Sequence, residues 1–341
     1  MKHFTLSIIS LWLGIFNHLL YAQPNRDTAT MLIRLYEDND FINLYLKGTD
    51  NAYTNGSRID LFYLKKNKLR FFIDRLMPKA GNGSIDIYGW GMTQLMYTPN
   101  NLAATDYQPH DYPYSGALFA THSLYSYNPL KKYDLQTELV LGVRGPASFT
   151  RQTQSFVHSL INYQEPMGWS HQAKNKFMLN INFAAEKQLA FYNGVVELLA
   201  GAEVHAGSMY NAVSMYPEIR IGSMSPYFKG YISQYSNPKH KGSKNKIQAY
   251  LFAKPQPLVM LSDALLQGKA SETTLKNNKK ADAPEELNPY HQINNLVYYF
   301  SYGAVVTSGH FSISFTQTSN TALLKGLYSH AFGNISLYFS W

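Results

Sequence analysis

The last eight residues, 334–341, read NISLYFSW. Ile335, Leu337, Phe339 and Trp341 alternate with Asn334, Ser336, Tyr338 and Ser340. A period of two with one apolar face is the mark of a half-buried β-strand. The pattern recurs upstream. In HFSISFTQT, Phe311, Ile313 and Phe315 oppose Ser312, Ser314 and Thr316; in FMLNINFA, Leu179 and Ile181 oppose Asn180 and Asn182. In TATMLIRLYE, Met31, Ile33 and Leu35 face one way, with Thr30, Arg34 and Tyr36 on the other side.

Collecting such segments gives expected strands at 28–37, 53–63, 84–97, 114–127, 133–143, 174–187, 190–203, 212–223, 246–265, 294–306, 310–319 and 328–341. The composition is 45% hydrophobic and 15% aromatic, with 27 Tyr and 19 Phe among 341 residues. No run after residue 22 approaches the ~18 apolar residues that a membrane helix needs. Apolar residues spread one in two along an even number of strands, with an aromatic terminal strand, point to an all-β fold. The expected fold is a single transmembrane outer-membrane β-barrel of 12 antiparallel strands.

The start of the chain agrees with export. Lys2 and His3 precede the mostly apolar run Phe4–Leu20, and Ala22 is followed by polar sequence. Residues 1–22 are expected to be a signal peptide and 23–341 the barrel domain. The absence of cysteine excludes a thiol nucleophile, a Cys-ligated zinc and a disulfide framework. The net charge of +8 is concentrated in Lys65, Lys66 and Lys68, in Lys239, Lys241, Lys244 and Lys246, and in Lys276, Lys279 and Lys280. For an exported barrel these are solvated turns or contacts with anionic lipid, and nucleic acid is not an expected partner.

With both termini in the periplasm, 38–52, 98–113, 144–173 and 266–293 become extracellular loops. One of them carries a helix, expected at about 149–163, with Ser148 as N-cap and Pro166 as stop. Gln154 and His158, four apart, share a face of it.

There is no G-x-S-x-G elbow, H-E-x-x-H or Walker loop, so any chemistry rests on a scattered constellation. The topology gathers Asn39 and Asp40, the segment Tyr53-Thr54-Asn55-Gly56, the end of GMTQLMYTP and His158 at the outer rim. A carboxylate, hydroxyls, amides and an imidazole suit ester hydrolysis, and neutral imidazole is a competent base for water. The same residues also suit plain hairpins, because Asn and Asp favour turns and Asn-Gly is a turn dipeptide. Tyr97 and Gln94 suit rim packing and the lumen, and Trp169 suits an interfacial aromatic girdle.

Three blocks, NDF…TDNAYTNG, GMTQLMYTP…DYPYSG and LGVRGPASFTRQTQSFVHSLINYQEPMGWSHQ, resemble in order and spacing the LpxR-type lipid A 3′-O-deacylases. The specific motifs lie within 38–172, and the second half is similar only in its alternating strands. The resemblance implies a twelve-stranded barrel that removes the 3′-acyloxyacyl group of lipid A in a calcium-dependent hydrolysis. It implies His158 as the base activating water, Asn39, Asp40 and Thr54 as further catalytic residues, and Asn39 and Asp40 as oxygen ligands of the metal. Gln154, Gln164, Tyr53 and Tyr97 are the expected substrate-positioning residues. Two departures stand out. Residues 100–106, NNLAATD, lack the lysine of some members, and Gln164 replaces a glutamate, with Glu165 beside it. The expected partners are lipopolysaccharide and other outer-membrane lipids, with the barrel a monomer. The rivals are a calcium-dependent outer-membrane phospholipase and a non-enzymatic pore or adhesion scaffold.

Overall fold

Alternation puts one set of side chains on each face of a sheet, and closing that sheet removes its unpaired edges. The computed structural model describes residues 29–45, 51–64, 71–236, 247–267 and 292–341. In chain order they form β1 (Met31–Asn39), β2 (Ala52–Leu64), β3 (Ile85–Thr98), β4 (Ser115–Asn128) and β5 (Tyr133–Arg144). Helix α1 (Thr150–Ile161), β6 (Lys176–Tyr192), β7 (Val196–Gly207), β8 (Tyr210–Ser223) and the single turn α2 (Tyr231–Gln234) follow. The chain ends with β9 (Gln248–Asp263), β10 (Leu296–Ser308), β11 (Phe311–Asn320) and β12 (His330–Ser340). Each strand pairs with its sequence neighbour, and β12 closes antiparallel on β1 from Leu32↔Ser340 to Asn39↔Gly333. The Trp341 carbonyl clamps the closure, accepting from the Thr30 and Met31 amides at 2.8 and 3.0 Å.

The outward face is apolar: Ile59, Met92, Ile181, Met215, Leu251 and Ile313 are all exposed. No described helix is long and apolar enough to cross a membrane; the strands do so, as in any barrel of this kind. The inward face is polar and paired. Arg34 and Arg58 share Asp60 at 2.6 and 2.8 Å, Arg58 also reaches Glu138 at 2.6 Å, and Arg220 meets Glu197 at 2.7 Å. At the end bearing the β2–β3 and β8–β9 connections, Phe228 and Ile232 enter the lumen and pack on Leu32, Phe62, Leu199 and Tyr338. The other end is closed by a cluster containing Tyr97, Tyr112, Leu265, Leu266 and Leu324.

The strands match expectation closely except at the β6–β7 turn. The sequence placed that turn near 188–189, but β6 runs on to Tyr192, and a register shift at Gln188–Ala190 keeps the ladder continuous. Asn193 and Gly194, both at positive φ, make the turn instead. The connections at 65–83 and 224–245 hide no further strand pair among their described residues. The expected signal peptide at 1–22 and the three lysine clusters lie outside the described residues.

Candidate active site

β1 ends in a tight turn. The Asn39 side-chain oxygen accepts from the Phe41 amide at 2.8 Å, an Asx turn that stops the strand. The chain then folds over the outside of the barrel, across β12 and β11. Gly333 admits this path, since a Cβ there would lie 1.3 Å from the Ile42 carbonyl oxygen. Further along, the Leu44 amide donates to Gln317 Oε1 at 2.8 Å. Asp40 is fully buried; its Oδ2 accepts from the Asn51 amide at 2.9 Å, and its carbonyl accepts from Asn43 Nδ2.

Thr54 sits where the β2–β3 register shifts between Tyr53 and Asn55. Its hydroxyl lies 2.6 Å from that of Thr98, both buried. The shift separates faces. Tyr53 points into the lumen, where its hydroxyl donates to Asp38 Oδ2 at 2.8 Å. Asn55 points outward, paired with Met96.

Helix α1 lies against the outer wall. Its start is anchored on β3 and β4. Gln94 Nε2 donates to the Ser148 carbonyl at 2.7 Å, and a Cβ on Gly116 would lie 1.9 Å from Thr150 Oγ1. Ser148 is not the N-cap. Its hydroxyl donates to the Gly145 carbonyl at 2.6 Å within the 3-10 turn Pro146–Ser148, and Phe149, left-handed at φ 58°, takes the cap position. The helix ends at Ile161, short of the expected 163, because Asn162 adopts the left-handed conformation.

Thr150, Gln154 and His158 form the buried stripe of this helix. His158 Nδ1 lies 2.5 Å from the Gln164 carbonyl oxygen, and its ring meets Tyr163 edge-on with centroids 5.1 Å apart. Tyr163 meets Phe41 in the same way, also at 5.1 Å. This aromatic chain joins the His158 end of the helix to the turn after β1. Trp169 is not a girdle residue: it is 1% exposed and donates its indole N–H to Gln154 Oε1 at 2.7 Å.

Asn39, Asp40 and Thr54 thus lie together at the β1–β2 rim, with Gln154 and His158 on the wall-facing stripe of α1, and the two groups are linked through Tyr163 and Phe41; the space between wall and helix is the candidate slot. Gln164 contributes its carbonyl, while its side chain is exposed and donates to the Glu165 carbonyl at 3.0 Å. Tyr53 and Tyr97 lie on the lumen side, with centroids 5.4 Å apart, and are not brought into the slot. Gln94, read as a lumen residue, is on the outer wall. Sequence reasoning missed Gly116 and the Phe41–Tyr163 contact, since no local pattern marks a close approach between distant segments. The rim is further tied by Asp111, which accepts from Tyr328 at 2.9 Å and from the Asn100 amide at 2.8 Å. Burial and that carboxylate push the Tyr328 phenol well above its usual range.

A family model described as Outer membrane protein LpxR matches residues 7–341. The solved structure of LpxR from Salmonella typhimurium superposes with a TM-score of 0.69 at 15% identity, covering 91% of this chain and 100% of that one. The β domain of the Bordetella autotransporter BrkA covers 92% of this chain and 100% of its own, with a TM-score of 0.46 at 10% identity. No curated protein matches the chain in sequence.

Proposed function

The chain belongs to the LpxR family of outer membrane proteins, and from that premise we propose that it is a monomeric hydrolase of the Gram-negative outer membrane that removes the ester-linked 3′-acyloxyacyl group of lipid A. The observation that carries this reading is the inverted amphipathicity of α1. Thr150, Gln154 and His158 are buried against the wall, whereas Phe156, Val157 and Leu160 are exposed. A helix bathed in water turns its apolar stripe inward. One bathed in acyl chains turns it outward and reserves its polar stripe for a slot. A slot opening sideways into a leaflet suits a substrate that is itself a lipid.

The residues supply the chemistry of ester hydrolysis. Donation from His158 Nδ1 to the Gln164 carbonyl assigns the tautomer whose lone pair is on Nε2. Nε2 takes the proton of the attacking water and returns it to the departing sugar oxygen. Trp169 holds the Gln154 carbonyl, turning that amide's N–H groups the other way. Thr54, held by Thr98, lines the mouth, and Tyr53 and Tyr97 support it from behind the wall.

The donor chemistry fits calcium. The Asp40 carboxylate, the Asn39 amide oxygen and the Thr54 hydroxyl are hard oxygen donors. The described residues hold no group of three or more His, Asp or Glu that could bind a metal, so carbonyls and water would complete the shell. Calcium held there would supply positive charge to the developing oxyanion. With no lysine at 100–106 and Gln164 in place of a glutamate, the polar part of the substrate is positioned differently from that in other members.

Mass spectrometry of lipid A from cells expressing wild type or His158→Ala, with calcium or with chelator, tests the reading. Loss of one acyloxyacyl unit is expected only with wild type plus calcium, with a rate drop of about 10²–10⁴ for the variant. Deacylation by His158→Ala would reassign the base. Unchanged lipid A, with the barrel folded by heat-modifiable gel mobility and phosphatidylethanolamine cleaved instead, would make the protein a phospholipase.

A further inference from the structure

The even residues of β1 face the lumen: Leu32 packs on the inner cluster, Arg34 bonds Asp60, and Asp38 accepts from Tyr53. Glu37 therefore faces outward. It pairs with Ser57 on β2 and with Ile335 on β12, the latter an exposed residue of the apolar belt. Carboxylates on a lipid-facing wall are costly and are normally kept for a purpose.

Local structure does not require this one. Asn55 Nδ2 donates to Glu37 Oε1, but it also donates to the Asp38 carbonyl at 3.0 Å. Ser57 Oγ donates to Glu37 Oε2 at 2.7 Å, but it also reaches Asn55 Oδ1 at 3.2 Å. Each partner keeps an acceptor without Glu37.

The position of Glu37 relative to the helix gives the purpose. α1 begins over Gly116 on β4, and the chain just beyond its end meets Phe41, which follows β1. Its 12 residues span about 18 Å, enough to cross the roughly 14 Å from β4 to β1. Beneath it, Gln94, Ser57 and Glu37 form one outward row across β3, β2 and β1, and Met96, Asn55 and Asn39 form the next row toward the rim. Glu37 thus lies one row below Asn39, on the stretch of wall reached by the His158 end of the helix.

Resting on the proposed lipid-ester reading, we infer that Glu37 is a specificity-determining residue of the slot, whose carboxylate accepts a hydrogen bond from a hydroxyl or amide N–H on the polar core of a sugar-based lipid. A carboxylate offers about four acceptor positions; Asn55 and Ser57 occupy two. A site built to pair with a donor strongly rejects an analogue lacking it. Phosphatidylcholine, the glycerophospholipid compared below, has no N–H or O–H to offer.

Wild type, Glu37→Gln and Glu37→Leu, folded in micelles, are compared for hydrolysis of lipid A and phosphatidylcholine. Lipid A binding is read by native mass spectrometry in a His158→Ala background. Glu37→Leu is expected to raise KM for lipid A about tenfold or more, to change kcat by less than about twofold, and to weaken binding by the same factor as KM. Glu37→Gln, which keeps an acceptor, is expected to fall between. The urea midpoint of Glu37→Leu is expected not to drop, since a lipid-facing carboxylate has been removed. Unchanged KM and binding would overturn the assignment, as would a parallel loss of stability and of activity on both lipids, which marks a structural role. A wild type that binds lipid A without cleaving it would sink the proposed reaction and leave binding to judge Glu37. A wild type that does neither would sink both.

Discussion

Among 11 histidines, His158 is singled out by its surroundings: a backbone carbonyl on Nδ1, an aromatic edge on its ring, and a neighbour one turn back that is itself held in place. Such support fixes the orientation of the imidazole, as the proposed base requires. The neighbour can be tested directly. Trp169→Phe keeps the aromatic volume but removes the N–H donated to Gln154, leaving a buried carbonyl oxygen short of a donor at a cost of about 1–3 kcal/mol. The expected outcome is a fall of about tenfold in kcat/KM on lipid A, with barrel mobility on gels unchanged. An unaltered rate would show that the orientation of Gln154 does not matter.

At the scale of the element, α1 works as a lid fixed at both ends, by Gly116 and Gln94 at its start and by Tyr163 against Phe41 beyond its end. The glycine matters for space alone, since Thr150 occupies the volume a β-carbon would need. Gly116→Val is expected to lift the start of the helix and cut lipid A deacylation by about tenfold or more, since small displacements of a positioned group cost that much. The strand ladder should still form, as heat-modifiable mobility would report. Thr150→Gly in the same chain should restore part of the rate; failure to do so would mean that the loss arises elsewhere than at this contact.

The whole molecule is a plugged cylinder. Phe228 and Ile232 fill one end of the lumen, aromatic and aliphatic side chains close the other, and charged pairs occupy the middle. Because the described residues plug both ends of the lumen, the purified protein is expected to give no steady conductance in planar bilayers. Regular open steps, comparable to those of a porin, would show that the plug leaves the barrel and would revive the pore reading. The filled lumen fits a candidate site placed outside, between wall and helix.

Local sequence was enough to specify twelve strands, their order and the place of the helix, because periods of two and 3.6 are set by backbone geometry and need no distant partner. It also singled out Asn39, Asp40 and Thr54, which the fold places at the β1–β2 rim, and Gln154 and His158, which it places on the buried stripe of α1. It misplaced Gln94, Trp169 and the helix cap. The side of the wall on which a residue lies was settled by register: the shift at Thr54 sends Tyr53 into the lumen and Asn55 outward, and a slip of one residue exchanges the two faces. Closure of β12 on β1 and the path of the loop over Gly333 are likewise contacts between residues nearly the full chain apart. No local pattern encodes them, because their energy exists only once the cylinder has closed.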